Sequence, residues 1–117
     1  MKIYHLSTCN TCQRIIKELG GAEKFTLQDI KTEKITPARL EEMRAKTDSY
    51  ESLFSRRSRQ YSARGLKNQE LTEQDYRDLI LEEYTFLKRP VVLIDDEIFI
   101  GNAKKTVAAA AKKMQTK

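Results

Sequence analysis

Both cysteines of the chain fall in one stretch, Ser7-Thr8-Cys9-Asn10-Thr11-Cys12-Gln13-Arg14, two residues apart. A thiolate, not a thiol, is the nucleophile, and an ordinary cysteine is mostly protonated at neutral pH. The unpaired amides and dipole at a helix N-terminus favour the anion, and a nearby cation favours it further. Cys9 stands where a turn enters a helical pattern, which makes it the expected low-pKa nucleophile. Cys12, one helical turn on, is spaced to attack a mixed bond on Cys9 and close an internal disulfide. Two other readings stand beside this one: a pair of buried cysteines without a chemical task, or half of a zinc site. Zinc needs two further ligands, and His5 is the single histidine. On a strand, His5 also reads as an ordinary half-core residue.

Two more signals accompany the pair. Arg89-Pro90 opens an apolar run, Val91-Val92-Leu93-Ile94. A proline at the head of a central strand is unusual, and a cis bond would bring it beside the cysteine turn with Arg89 near the thiolate. The plainer alternative is a turn proline beside a surface arginine. The second signal is Arg56-Arg57-Ser58-Arg59. Arginine forks match oxyanions and phosphates, although such a run is also simply a solvated face. Tyr61 interleaves with it, as in some nucleic-acid surfaces.

The elements that must position these residues follow from periodicity. Lys2 to Leu6 reads as a central strand, and a helix runs from about Asn10 to Leu19 with Ile15, Ile16 and Leu19 on one face and Gly20 as cap. Lys24 to Ile30 holds a second strand, parallel to the first because a helix joins them. Thr36-Pro37 opens a helix with Leu40 and Met43 inward, and Thr72 with Asp75 forms a capping box for a helix with Tyr76, Leu79 and Ile80 inward. Val91 to Ile94 and Glu97 to Gly101 make a hairpin about Asp95-Asp96, and Lys104 to Lys113 is a final helix. The order βαβ, helices, ββα predicts a thioredoxin-like (glutaredoxin-like) α/β fold: a mixed four-stranded sheet with an inserted helical subdomain. We expect a single domain over residues 1–117, its core about 1–33 and 87–117 and its insertion about 34–86. The cysteine turn then lies at the carboxyl end of the first strand, where such sheets bind ligands.

Composition narrows the class. A chain of 117 residues, 33% charged and 39% apolar, is one ordinary globular domain that needs neither disulfide staples nor a metal. No apolar run reaches membrane-spanning length, and the strand pattern that begins at Met1-Lys2-Ile3-Tyr4 leaves no room for a signal peptide, so a cytoplasmic location is expected. The net charge is +5, and the window from Ser55 to Gln69 carries five arginines and lysines with no acidic residue; the other 17 basic residues match the 17 acidic ones. Nucleic-acid binding spread over the whole surface is therefore disfavoured.

Taken together, Tyr4 to Cys9, the segment Ser55 to Leu66, Arg89-Pro90-Val91-Val92 and the length resemble the arsenate reductase/Spx (ArsC-like) family over essentially the whole chain. The resemblance implies a thioredoxin-like fold with a helical insertion. It matches Cys9 to the cysteine that attacks arsenate and Arg89 to the arginine that precedes a cis-proline and contacts the oxyanion. His5 matches a histidine at the end of the reductases' first strand. Cys12 falls where glutaredoxin-linked reductases carry serine and where Spx carries its second cysteine, and Gln13 replaces an arginine. Arg57-Ser58 matches a Thr-Arg-Ser motif of Spx, whereas two of the reductases' three oxyanion arginines fall near Ser55 and Gly101. A glycine that Spx uses at its polymerase interface falls near Ser49.

The resemblance thus implies a thiol-dependent oxidoreductase, arsenate reductase-like, with Cys9, Cys12 and Arg89 catalytic. His5, Asn10, Arg57, Arg59 and Pro90 would bind the oxyanion or a partner. No bound cofactor or metal is expected, and glutathione or glutaredoxin would serve as reductant to a monomer acting on a small oxyanion or a thiol/disulfide substrate. The alternative is an Spx-like redox-sensing regulator that binds the C-terminal domain of RNA polymerase α.

Overall fold

The first strand, β1 (Lys2–His5), is buried along Ile3, Tyr4 and His5 and has a neighbour on each edge. On one side it pairs in parallel with β2 (Thr26–Asp29), with Lys2 opposite Thr26 and His5 opposite Asp29. On the other it pairs antiparallel with β3 (Val91–Ile94), whose four residues are all buried. β4 (Glu97–Ile100) returns antiparallel to β3 and completes the order β2-β1-β3-β4. The computed structural model describes residues 1–115 of the chain.

The helix α1 (Asn10–Glu18) links the two parallel strands. Its Ile15 and Ile16, with Leu19 just past its end, are buried with Ile3, Phe25, Val92, Ile94 and Ala110 in one apolar cluster. Ala110 comes from the last helix, α5 (Lys104–Gln115), whose Val107, Ala111 and Met114 pack against the same cluster. Of the four alanines from Ala108 to Ala111, Ala110 is fully buried.

The chain divides into two compact units: Met1–Glu33 together with the stretch that begins at Arg89, and Lys34–Lys88. The second unit holds α2 (Pro37–Ala45), α3 (Arg59–Ala63) and α4 (Glu73–Glu82). Thr36 caps α2 by accepting the Arg39 amide, with Pro37 at the first helical position. Thr72 and Asp75 make the reciprocal capping box of α4, at 3.2 and 2.9 Å. Its core is partly aromatic: Phe54, fully buried, stacks on Phe86 at 5.1 Å between ring centres and meets Tyr76 at 4.9 Å. Phe54 also bridges Leu87 antiparallel, flanked by bonds from the Ser55 amide to the Phe86 carbonyl and from the Lys88 amide to the Leu53 carbonyl.

Candidate active site

β1 ends at His5, and a short turn follows before α1 begins. The Cys9 amide donates to the Leu6 carbonyl at 3.0 Å, closing the turn, and the Cys9 carbonyl accepts the Gln13 amide as the first helical bond. Cys9 is therefore the N-cap residue, in extended conformation (φ −95°, ψ 110°). A cap position puts its side chain at the positive end of the helix.

The two thiols are both free, and their surroundings differ. Burial acts to raise the Cys9 thiol. It is outweighed by the Cys12 amide, the Cys12 thiol, the Thr11 amide and the Arg89 guanidinium, so Cys9 is held below its ordinary value. The sulfur makes no capping hydrogen bond of full geometry to a first-turn amide; those amides, the Cys12 thiol and Arg89 act on it together. Cys12 is completely buried. Loss of solvent, then the neighbouring Cys9 sulfur, pushes its thiol up to about 11, against the Leu6 amide and Arg89, which act to lower it.

Arg89 acts on both thiols, and its peptide bond to Pro90 is cis. Pro90 is buried at the head of β3, and its carbonyl accepts the Gly101 amide at 2.9 Å, which fixes this corner to the end of β4. A proline has no amide to donate to the ladder, and it is tolerated at a strand's first position because no such bond is needed there.

His5 is nearly buried, with 8% of its surface exposed. Burial holds it below its ordinary value, partly offset by Asp29, its partner across the parallel pair. Asp29 accepts the Ser7 and Lys31 amides at 3.3 and 3.1 Å, and its bonds to Ser7 come first among the causes that keep its carboxyl ionised to lower pH. The side chain of Gln13 reaches back from α1 to His5 Nδ1 at 3.3 Å and to the Leu6 carbonyl at 3.2 Å. Sequence reasoning singles out Gln13 only as a departure from a pattern. Its position four residues after Cys9, on the same helix face, is the signal that it could meet the cysteine turn.

Of the residues singled out in the sequence, Cys9 and Cys12 thus share one turn in the first unit with Arg89 acting on both, Pro90 follows Arg89 at the head of β3, and His5 ends the strand that leads into the turn. Asn10 is the first residue of α1 and is exposed. Arg57 and Arg59 belong to the second unit, where both are exposed on either side of buried Ser58. Ser58 caps α3 through the Gln60 amide and bonds the Thr85 hydroxyl at 2.7 Å. The basic segment is partly neutralised: Arg56 pairs with Glu51 and Arg64 with Glu82, each at 2.6 Å. Among the described residues no group of three His, Cys, Asp or Glu side chains is placed to hold a metal ion.

Comparison with known proteins agrees with this architecture. An arsenate reductase from Vibrio cholerae superposes with a TM-score of 0.77 at 15% identity, covering 93% of this chain and 95% of that one. A Yersinia pestis protein provisionally described as an arsenate reductase gives 0.74 at 17% identity over 92% and 97%. A protein from Brucella melitensis described as related to arsenate reductase (ArsC) gives 0.67 at 21% identity over 93% of each chain. At these identities the likeness establishes the thioredoxin-like fold. No curated protein matches the sequence. The family model described as ArsC family matches residues 4–110, from the end of β1 to the middle of α5, and the chain belongs to the ArsC family.

Proposed function

We propose that the chain is a thiol-dependent reductase of the arsenate reductase type, with Cys9 as nucleophile. The observation that carries this reading is the Cys9 thiol at the N-cap of α1, favoured as thiolate by the first-turn amides and by Arg89. In the reaction, the Cys9 sulfur attacks the arsenic of bound arsenate, a hydroxyl leaves as water after taking up a proton, and a sulfur–arsenic bond forms. A second thiol then attacks the Cys9 sulfur. The electron pair of the sulfur–arsenic bond stays with arsenic, which leaves as arsenite, while two thiols become one disulfide. Arg89 holds the negative charge of the oxyanion. The second thiol is Cys12 or glutathione, and glutathione or glutaredoxin returns the protein to its dithiol form. Soluble cytoplasmic action as a monomer belongs to this reading, and Asn10 and Pro90 line the anion's place at the turn. Among the described residues no helix is long and apolar enough to cross a membrane.

The test is consumption of NADPH through glutathione, glutathione reductase and glutaredoxin, driven by arsenate or by a glutathione mixed disulfide. Wild type is expected to turn over, and Cys9→Ser is expected to fall to background. A wild-type protein that consumes no donor with either substrate would sink the reading.

One observation favours a second role, that of an Spx-like redox-sensing regulator: the two thiols act on one another directly, so oxidation has an internal partner at hand. Arg57 and Arg59 would then hold an anionic face of a partner, the C-terminal domain of RNA polymerase α. Co-purification with polymerase α, altered by oxidation and abolished by Arg57→Glu, is the expected result; equal recovery with and without the disulfide speaks against it.

A further inference from the structure

The side-chain amide of Gln13 has one orientation that satisfies its surroundings. The Leu6 carbonyl, 3.2 Å away, is an acceptor and requires the NH2 end. That same nitrogen lies 3.3 Å from His5 Nδ1. An amide nitrogen donates and does not accept, so His5 Nδ1 must be the acceptor. A neutral imidazole that accepts at Nδ1 carries its proton on Nε2. The Leu6 carbonyl also accepts the Cys9 amide at 3.0 Å. One chain of bonds therefore runs from the nucleophile's own backbone, through Leu6 and Gln13, to the histidine at the strand end.

We propose that Gln13 is a positioning residue of the cysteine site: by bonding the Leu6 carbonyl and His5 Nδ1 together, it fixes the imidazole as the neutral Nε2–H tautomer and ties it to the turn that carries Cys9. This deepens the reductase reading and rests on it for its catalytic meaning. The bonds themselves require no substrate. Few charges compete for control of His5. Asp29 faces it from β2, β3 is uncharged along Val91–Ile94, and α1 presents the neutral Gln13. Arg89, before β3, acts on the two thiols.

The chain has a single histidine, so long-range 1H–15N correlation of the imidazole reads the tautomer without ambiguity. In reduced wild type above neutral pH we expect the Nε2–H pattern. Gln13→Met keeps the length and removes the donor, and is expected to shift the tautomer ratio toward Nδ1–H by about fivefold, the worth of one ordinary hydrogen bond. Gln13→Glu replaces a donor by an acceptor and is expected to raise the His5 pKa above that of wild type. Gln13 is largely exposed, so both variants should fold, with circular dichroism as the check. An Nδ1–H wild type, or variants that leave both tautomer and pKa unchanged, overturns the proposal. Because these spectra need no turnover, failure of arsenate reduction would sink the proposed activity alone, whereas a failed tautomer shift would sink the role of Gln13 alone.

Discussion

Cys9 and Cys12 are one helical turn apart, yet only Cys9 gains from the helix end, while Cys12 loses all contact with solvent. Only the thiolate attacks a disulfide. Beside a free Cys9 the Cys12 thiol is pushed up to about 11, first by burial and then by the Cys9 sulfur, and in a mixed disulfide on Cys9 burial alone keeps it raised and mostly protonated at pH 7. If Cys12 resolves a mixed disulfide on Cys9, closure should accelerate about tenfold per pH unit from pH 7 to 9. Mass spectrometry of quenched samples of a glutathione-loaded protein measures it; a pH-independent rate, or closure that persists in Cys12→Ser, rules the step out. His5 has a sign of its own. Its folded value lies below the ordinary 6.5, so below that pH the unfolded chain takes up a proton that the folded chain refuses. Stability should therefore be full above about pH 6.5, fall as the pH drops below it, and level off once the folded value is passed. Asp29, depressed in its turn, acts lower, below its ordinary 3.8. Urea midpoints from pH 7.5 to 5.5 should fall in wild type and flatten in His5→Gln; equal slopes would refute the assignment. Cysteine spacing and Arg89-Pro90 were legible in the sequence because each is a local pattern with a chemical meaning. The Gln13 bridge was not, because which atoms of an amide meet which ring nitrogen depends on rotamers that no spacing encodes.

At the scale of elements, the signals that read correctly were those with a local mechanism. Thr36-Pro37 and Thr72 with Asp75 cap their helices as written, since a side-chain oxygen three residues before an unpaired amide meets it almost irrespective of context. Strand ends were less legible: β1 stops at His5 and β2 spans Thr26–Asp29, shorter than the apolar runs around them, because pairing ends where the partner turns away. The C-terminal cap of α1 carries a prediction. Leu19 is the last residue of the turn, and Gly20 follows with φ 112°, a conformation that L residues rarely adopt. A Cβ there would also stand 2.6 Å from Lys24 Cγ, although that flexible side chain can move aside. Gly20→Ala should cost about 1–2 kcal/mol, chiefly from the backbone. Urea unfolding measures it. A cost below the error of the extrapolation would mean that the turn relaxes to negative φ without loss.

Along the whole chain, charge is where sequence and structure part. Counting by window gives the segment Ser55 to Gln69 all of the excess. Counting by neighbours changes this: Arg56 and Arg64 are matched by Glu51 and Glu82, five and eighteen residues away, inside the same unit. Helix α5 meanwhile carries Lys104, Lys105, Lys112 and Lys113 with no acidic residue of its own, and Lys113 is matched by Glu97 of β4 at 3.7 Å. A linear window cannot see a partner brought in from another helix. The aromatic centre of the second unit was also illegible as a whole, because Phe54, Tyr76 and Phe86 come from three separate stretches. Only the fold makes them neighbours, and the bridge from Phe54 to Leu87 draws the inserted segment together just before it leaves for Arg89. Phe54 has no exposed surface, stacks on Phe86 and touches Tyr76 and Tyr61. Truncating it removes a large buried ring and leaves a cavity among aromatic neighbours that repack poorly. Phe54→Ala should therefore destabilise by about 3–5 kcal/mol. The same change should loosen the bridge, so the Ser55 and Lys88 amides, which donate at 2.6 and 2.8 Å, should lose hydrogen-exchange protection. Phe54→Leu, which keeps most of the apolar volume, should retain much of both. If Phe54→Ala loses less than about 1 kcal/mol and both amides stay protected, the ring is not what holds the bridge closed.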